Sequence, residues 1–530
     1  MILNRSRSRK TSVNDLPAPE FLRVRLQKRR GAVLLVVLMV VVILSLSAYS
    51  YTALMVSQRE AVRLSGRQIQ SRALVDSGVE AIKMFLAQEE QTIVDSGGTY
   101  DNAEHFQGIL VRDDVDPNRR GRFTVTSTAL DEEGRLAGLR YGLTDESIRL
   151  NLNALMIAEE QQEDGGKELL KALPAMTDEI AESILDWIDE DDDPRPLGAE
   201  VDYYSSLAPA YAPKNGPLES VEELLLVRGV TPQLLFGMDV NRNGMIDAQE
   251  SANASFSIDD PDLDLGWSAF LTLYSQEKNE TLDGEPRVYV NGEDMEQLYN
   301  EVKEAINAEW ATFIVAYRQF GPYTGTKEGE PYLGGDLDFE QEGKVPLVQV
   351  LDLVDAKVRV RFEGDDESTI LNSPIQSETI GFQLPQLMDH LSVNASPIIP
   401  GRININQAPR TILLGIPGMD EAIVDDIISH RDEVPDVEDA ADENRRFETW
   451  ILAELIVELD KMREILPYVN AGGDVFRGQV VGYFDGGGAT SRAEVVFDAI
   501  ENEPRILLWR DISHLGSGYS LETLGTELVE

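Results

Sequence analysis

Residues 32–58 carry no charged side chain, and no other feature of this 530-residue sequence limits its fold so strongly. The stretch follows Lys28-Arg29-Arg30-Gly31 and opens with an unbroken apolar run from Ala32 to Leu44. A helix of these 27 residues, rising ~1.5 Å per residue, is roughly 40 Å long and can cross a bilayer. The basic flank is expected to stay cytoplasmic, so the body faces the other side.

Charge separates the same two regions. Residues 1–31 hold nine Lys/Arg against Asp15 and Glu20, while the whole chain carries −47, which leaves −54 on the remainder. So acidic a body repels phosphate backbones and argues against nucleic acid. It suits divalent cations and basic protein surfaces. With no cysteine, a disulfide framework and a thiolate metal site are excluded. The four histidines (His105, His390, His430, His514) lie far apart and lack zinc spacing.

Three readings fit the N-terminus. One is a plain signal anchor. A second is a cleaved secretory signal, with Ser45-Leu46-Ser47-Ala48 supplying small residues after the run. The third is a prepilin-type signal, cleaved after the Gly with the helix retained. The residues downstream favour the third. Helical sequence continues to about Gln88, and Val75, Val79, Ile82 and Leu86 recur at helical spacing on one face.

Arg30-Gly31-Ala32-Val33-Leu34-Leu35-Val36 resembles the processing site of type IV pilins and type II secretion pseudopilins. The resemblance implies cleavage after Gly31 by a prepilin peptidase and N-methylation of Ala32. Most members of those families carry Glu where this chain has Val36, a departure typical of the K-type minor pseudopilin. That Glu is thought to neutralise a neighbour's amino terminus. A subunit at a filament tip has no neighbour above it, and Val36 leaves no unpaired charge in the membrane. The 31-residue leader is longer than is usual in the family.

Beyond Gly97-Gly98, expected to end the stem, the segments 107–112, 122–129 and 138–143 read as strands. A second β-rich block is expected at 475–484, 493–499 and 505–511. Between them the chain reads as mostly helical and repeats itself. Arg149-Leu-Asn151-Leu-Asn153-Ala-Leu155 matches Arg402-Ile-Asn404-Ile-Asn406-Gln-Ala408, and Arg287-Val-Tyr-Val-Asn291 is a weaker third copy. Leu173-Pro-Ala-Met176 then matches Ile416-Pro-Gly-Met419, a helix–hairpin–helix turn. Such turns can hold phosphate on their amides, but Asp178, Glu179, Glu182, Asp420, Glu421, Asp425 and Asp426 crowd both copies, so a structural role is expected.

The order of these motifs, with 185–204 and 222–230, resembles the K-type pseudopilin. The expected fold is α+β: a pilin-like N-terminal helix and antiparallel sheet, with a large inserted, internally duplicated helical domain. The divisions are a leader (1–31), stem (32–90), first β part (91–147), helical insertion (148–470, with an expansion over 231–400) and second β part (471–530).

The sharpest local motif is Asp239-Val-Asn241-Arg-Asn243-Gly244-Met245-Ile246-Asp247-Ala-Gln-Glu250. It fits the twelve-residue EF-type calcium loop. Asp239, Asn241, Asn243 and Asp247 supply oxygens, Met245 its carbonyl, and Glu250 both carboxylate oxygens, while Gly244 permits the turn. A helix over 220–235 is expected to lead in; 251–257 is a poor exit helix. Two Asn for Asp lower the ligand charge and suit extracytoplasmic calcium. A second candidate is the acidic stretch with Asp189, Asp191, Asp193, Glu200 and Asp202, where the family resemblance favours structural calcium. The other reading of that stretch is a solvated acidic loop.

No Gly-x-Ser-x-Gly elbow, phosphate-cradling Gly-rich loop or His–Glu metalloprotease helix occurs, so no enzyme is expected. The resemblance implies a single-pass inner-membrane protein with a periplasmic body. It implies other minor pseudopilins and prepilin peptidase as partners, at the tip of the secretion pseudopilus. The alternative is a membrane-anchored, calcium-stabilised scaffold or receptor with no filament role. Mass spectrometry of the mature N-terminus separates them: the pseudopilin reading expects a methylated Ala32, and a chain starting at Met1 or after Ala48 contradicts it.

Overall fold

The apolar run and its continuation form one helix, α1 (Ala32–Leu86), 55 residues long. The computed structural model describes residues 32–247, 250–251, 264–331, 336–362, 364, 367–431 and 445–526. The leader, including Gly31, lies outside them, as does most of the expected poor exit helix after Ser251. Residues up to Gly66 form one unit and Arg67 onward another. In the first unit every apolar side chain from Val33 to Leu44, Val36 included, is exposed. Among the described residues α1 is the one helix long and apolar enough to cross a membrane.

In the second unit the remainder of α1 packs on an antiparallel sheet. Its strands are β1 (Ile109–Arg112), β2 (Gly121–Leu130), β3 (Leu136–Tyr141), β4 (Thr144–Asp145), β5 (Val475–Phe484), β6 (Ser491–Asp498) and β7 (Arg505–Asp511). The order is β1-β2-β5-β6-β7, with β3 beside β2 and β4 beside β5. All six strands expected from alternation are present. The sheet thus joins strands from both sides of the insertion, with Val480 opposite Val125 in the β2–β5 register.

Val75, Val79, Ile82 and Leu86, the expected helix face, are buried with Phe85 against Phe123, Val125, Val480 and Val495. Gly78 and Gly482 allow the close approach. A Cβ on Gly482 would lie 2.4 Å from the Ser71 carbonyl oxygen and 2.9 Å from the Val75 nitrogen. The stem stops at Leu86, earlier than Gly97-Gly98. Those two glycines, at φ 96° and 73°, instead close the short helix Glu90–Asp95.

The insertion shows the repeat three times. Each copy opens with a two-residue strand that pairs in parallel with a strand closing the same copy. The pairs are Leu150–Asn151 with Leu271–Thr272, Val288–Tyr289 with Leu391–Ser392, and Ile403–Asn404 with Val469–Asn470. The last Asn of each motif pins a distant loop. Asn153 exchanges two hydrogen bonds with the Leu218 backbone (2.7 and 3.1 Å), and Asn291 two with Leu347 (both 2.9 Å). Asn406 donates to the Arg445 and Ala471 carbonyls. The weak copy in the 231–400 expansion is therefore a complete module. All three share one hydrophobic core, which includes Trp187, Trp267, Trp310 and Trp450.

The expected helix–hairpin–helix turns are present, with Ala175 at φ 55° and Gly418 at φ 87°. Four of their seven acids form salt bridges: Asp178 with Lys171 at 3.2 Å, Glu182 with Lys167 at 2.6 Å, Glu179 with Arg228, and Asp425 with Arg410.

Substituting Gly482→Val should force α1 off the sheet and destabilise this unit by about 1–3 kcal/mol, the usual cost of overpacking. Thermal denaturation followed by circular dichroism checks this; an unchanged melting temperature contradicts the packing described.

Candidate metal centres

The EF-type loop folds as its side-chain chemistry demands. Gly244 takes φ 77°, the conformation its place in the loop requires. The Asp239 carboxylate accepts from the amides of Asn243 (3.1 Å) and Gly244 (2.8 Å). The Glu250 carboxylate accepts from the amides of Asn241 (3.1 Å) and Asp247 (3.0 Å), closing the loop from its far end. Asp247 accepts from the Glu250 amide at 2.9 Å, and Asn243 Oδ1 from the Met245 amide at 2.8 Å. Asp239, Asn243 and Glu250 are buried, and Asn241 Oδ1 is buried without a hydrogen-bond partner. Burial, reinforced by the Glu250 charge, raises the Asp239 carboxyl above its ordinary value. Hydrogen bonds thus tie Asp239 to the Asn243–Gly244 turn and Glu250 to Asn241 and Asp247, while the acidic group whose oxygens converge among the described residues lies elsewhere.

The lead-in differs from expectation. The helix over 220–235 is broken into a 3₁₀ turn (Val221–Leu226) and a five-residue helix (Pro232–Phe236). Extended backbone at Val227 ends the first piece, Gly229 at φ 84° turns the chain, and Thr231 caps and Pro232 starts the second.

The loop also grips the sheet. Arg492 on β6 donates to the carbonyls of Asn241 and Arg242, both at 3.1 Å. Gln479 on β5 donates to the Arg242 carbonyl at 2.5 Å, and the Tyr519 hydroxyl to the Asn243 carbonyl at 3.2 Å. Met245 packs against Val481, Tyr483 and Tyr519. The loop is therefore a clasp between the insertion and the outer sheet face.

The second candidate contracts to a different set. Asp186, Asp189 and Glu200, all buried, bring carboxylate oxygens within 4.8 Å of one another. Asp191, Asp193 and Asp202 are exposed and do not join them. Asp186 was not among the expected ligands. Its signal was its position three residues before Asp189 at the end of helix Asp178–Ile188, which puts both on one face. Arg195, also unanticipated, binds Asp186 and Asp189 through Nη1. One guanidinium against three carboxylates leaves a net negative site that suits a divalent cation. Both Glu200 oxygens and Asp189 Oδ1 are buried without hydrogen-bond partners. Burial first, then the Asp186 and Asp189 charges, push the Glu200 carboxyl up to about 7. Gly198 permits the chain to close over Asp186, since a Cβ there would lie 1.9 Å from Oδ2.

A long apolar-headed helix on an antiparallel sheet, interrupted by a helical insertion, defines a pilin-like subunit. Residues 148–238, most of the first repeat, match the family model of type II secretion system protein K. Two curated relatives carry that name. The one from Pseudomonas aeruginosa is 26% identical over 38% of this chain and 57% of its own length. The one from Klebsiella pneumoniae is 28% identical over 39% of this chain and 60% of its own length. The chain thus spans less than two thirds of either relative. The crystal structure of the GspK–GspI–GspJ complex from the enterotoxigenic Escherichia coli type 2 secretion system aligns with a TM-score of 0.36. It is 12% identical and covers 86% of this chain and 98% of that one. In these stretches the chain is similar to type II secretion system protein K.

Glu200 makes the acidic pocket pH-sensitive. Its folded pKa lies above the unfolded value, so without divalent cations stability falls as pH rises from about 4.5 to about 7. Glu200→Gln should flatten that slope in melting curves taken with chelator. An equal slope in the variant contradicts a raised Glu200.

Proposed function

We propose that this chain is a non-catalytic minor pseudopilin that caps a type II secretion pseudopilus and supports export across the outer membrane. The observation that carries this reading is α1: one continuous helix, apolar and exposed in its first part, packed on a sheet in its last. Prepilin peptidase cleaves after Gly31 and Ala32 is methylated. The apolar segment anchors the chain in the inner membrane, with the body in the periplasm. Val36 leaves the membrane-embedded helix without the acid that would pair with a subunit above. The bulky insertion blocks further stacking, and other minor pseudopilins bind alongside α1.

Calcium is structural in this reading. Asp239, Asn241, Asn243, Asp247, Glu250 and the Met245 carbonyl hold one ion in the clasp; Asp186, Asp189 and Glu200 hold a second. The buried, partnerless oxygens of Asn241, Asp189 and Glu200 support both sites. An ion at one hundred times its Kd adds about 2.7 kcal/mol to folding.

The full chain, coexpressed with other minor pseudopilins and extracted in detergent, should copurify with them. Isolation of the chain alone favours the scaffold reading. Chelation should lower its melting temperature. Glu250→Gln should remove part of that calcium response and Glu200→Gln the remainder; no response in the parent chain rules calcium out.

A further inference from the structure

Four arginines gather where the first repeat meets the sheet, and they share the acids around them unequally. Arg477 on β5 is shared between Glu146 (2.6 and 2.9 Å) and Glu494 (2.6 Å). Arg510 is taken up by Glu222 at 2.7 Å. Two more arginines stand close by, and among the described residues neither forms a salt bridge. Arg140, 4% exposed, spends its donors on neutral oxygens: the carbonyls of Thr128, Leu143 and Tyr100 and the Thr144 hydroxyl. Arg149 donates from Nη1 to the Ser268 carbonyl at 3.3 Å, while its Nε is buried with no partner. Burial pushes both guanidinium groups down to about 10, and for Arg149 the Arg477 charge adds to the effect.

The same position in the third repeat is treated differently. Arg402 meets Glu277 at 2.5 Å and Glu448 at 3.0 Å, two carboxylates for one guanidinium. Arg149 has no such pair. Beside it lies a cavity of about 50 Å³. Its lining includes Thr126, Ser127, Thr128 and Thr144, together with Arg149 and Arg477; the Thr126 hydroxyl donates to Tyr519 or the Gln479 carbonyl and the Ser127 hydroxyl to the Gly142 carbonyl, which leaves those of Thr128 and Thr144. Glu494 also reaches this wall, with its charge already engaged by Arg477 and, at 3.6 Å, by Arg510. Hydroxyls and an unmatched N–H surround a space that takes roughly one or two water-sized ligands.

We propose that this cavity binds one small inorganic monoanion of chloride size, accepting from Arg149 Nε–H and from the Thr128 and Thr144 hydroxyls. Around Arg149 stand Arg477 and Arg140 against Glu146 and Glu494, with the exposed Asp101 beside Arg140; Arg149 itself has no carboxylate in salt-bridge reach among the described residues, and a bound anion supplies the missing negative charge. An unpaired buried charge is costly, and a bound anion removes that cost without altering any side chain. The anion would share the insertion–sheet boundary with the calcium clasp, using different residues for charge neutralisation.

The test uses the full chain in detergent with calcium held constant. Chloride replaces gluconate at fixed ionic strength, and chloride-35 NMR linewidth reports exchange with bound anion. A saturable excess linewidth and a chloride-dependent rise in melting temperature are expected. Bromide should displace chloride. Arg149→Gln, which loses one charged hydrogen bond, should weaken chloride binding by roughly tenfold or more. Arg410→Gln, a surface pair elsewhere, should leave it unchanged. No saturable excess in the parent chain, or an excess retained by Arg149→Gln, overturns the proposal. Should Arg149→Gln fail to fold, crystals of the parent chain grown in bromide decide it: an anomalous peak in the cavity supports the anion, and water alone there overturns it.

Discussion

Everything beyond the stem depends on how the insertion is fastened to the sheet, and the central fastener is Arg477. Its guanidinium lies between Glu146, at the start of the insertion, and Glu494 on the neighbouring strand. Burial alone would raise both carboxyls, yet Arg477 reverses the sign, and with Arg510 it brings Glu494 down to about 2. Glu146 also accepts from the Thr272 hydroxyl, on the strand that closes the first repeat. One side chain thus joins two sheet strands to both ends of a module. Removing one member would strand the others as unpaired buried charges, the most damaging kind of loss in a low-dielectric interior.

The clasp adds a second attachment on the outer face. Its hydrogen bonds to the sheet use loop carbonyls, leaving the acidic side chains for the loop interior. This division lets one short segment act as a structural joint while its carboxylates are held by the loop's own amides. The acidic pocket at Glu200 is different in kind. It lies within the first repeat and holds the end of helix Asp178–Ile188 to the loop beyond it.

Much of this was legible in sequence because its signals are local. Six strands could be read from alternation and turn residues, and the buried stem face from Val75, Val79, Ile82 and Leu86. The turn at Gly244 could be read because the motif that demands it is local. Other features depended on distant partners. Runs of acids drew attention to Asp191, Asp193 and Asp202, but inward orientation is decided by the end of one helix, which selects Asp186 and Asp189. The helix over 220–235 looked continuous by composition and was divided by Gly229 and the Thr231-Pro232 start signal. The middle repeat was faint because its matching residues fix only an entry strand and one pinning Asn; the closing strand lies about a hundred residues away.

Each repeat begins and ends on adjacent parallel strands two residues wide. Entry and exit are therefore neighbours, whatever the length of chain between them. A module closed in this way can be gained, lost or enlarged without shifting the segments on either side, much as a bead is threaded onto a string. The length of this chain over 231–400 then needs no new architecture: a further module occupies the space between two attachments, and the sheet does not have to move to admit it.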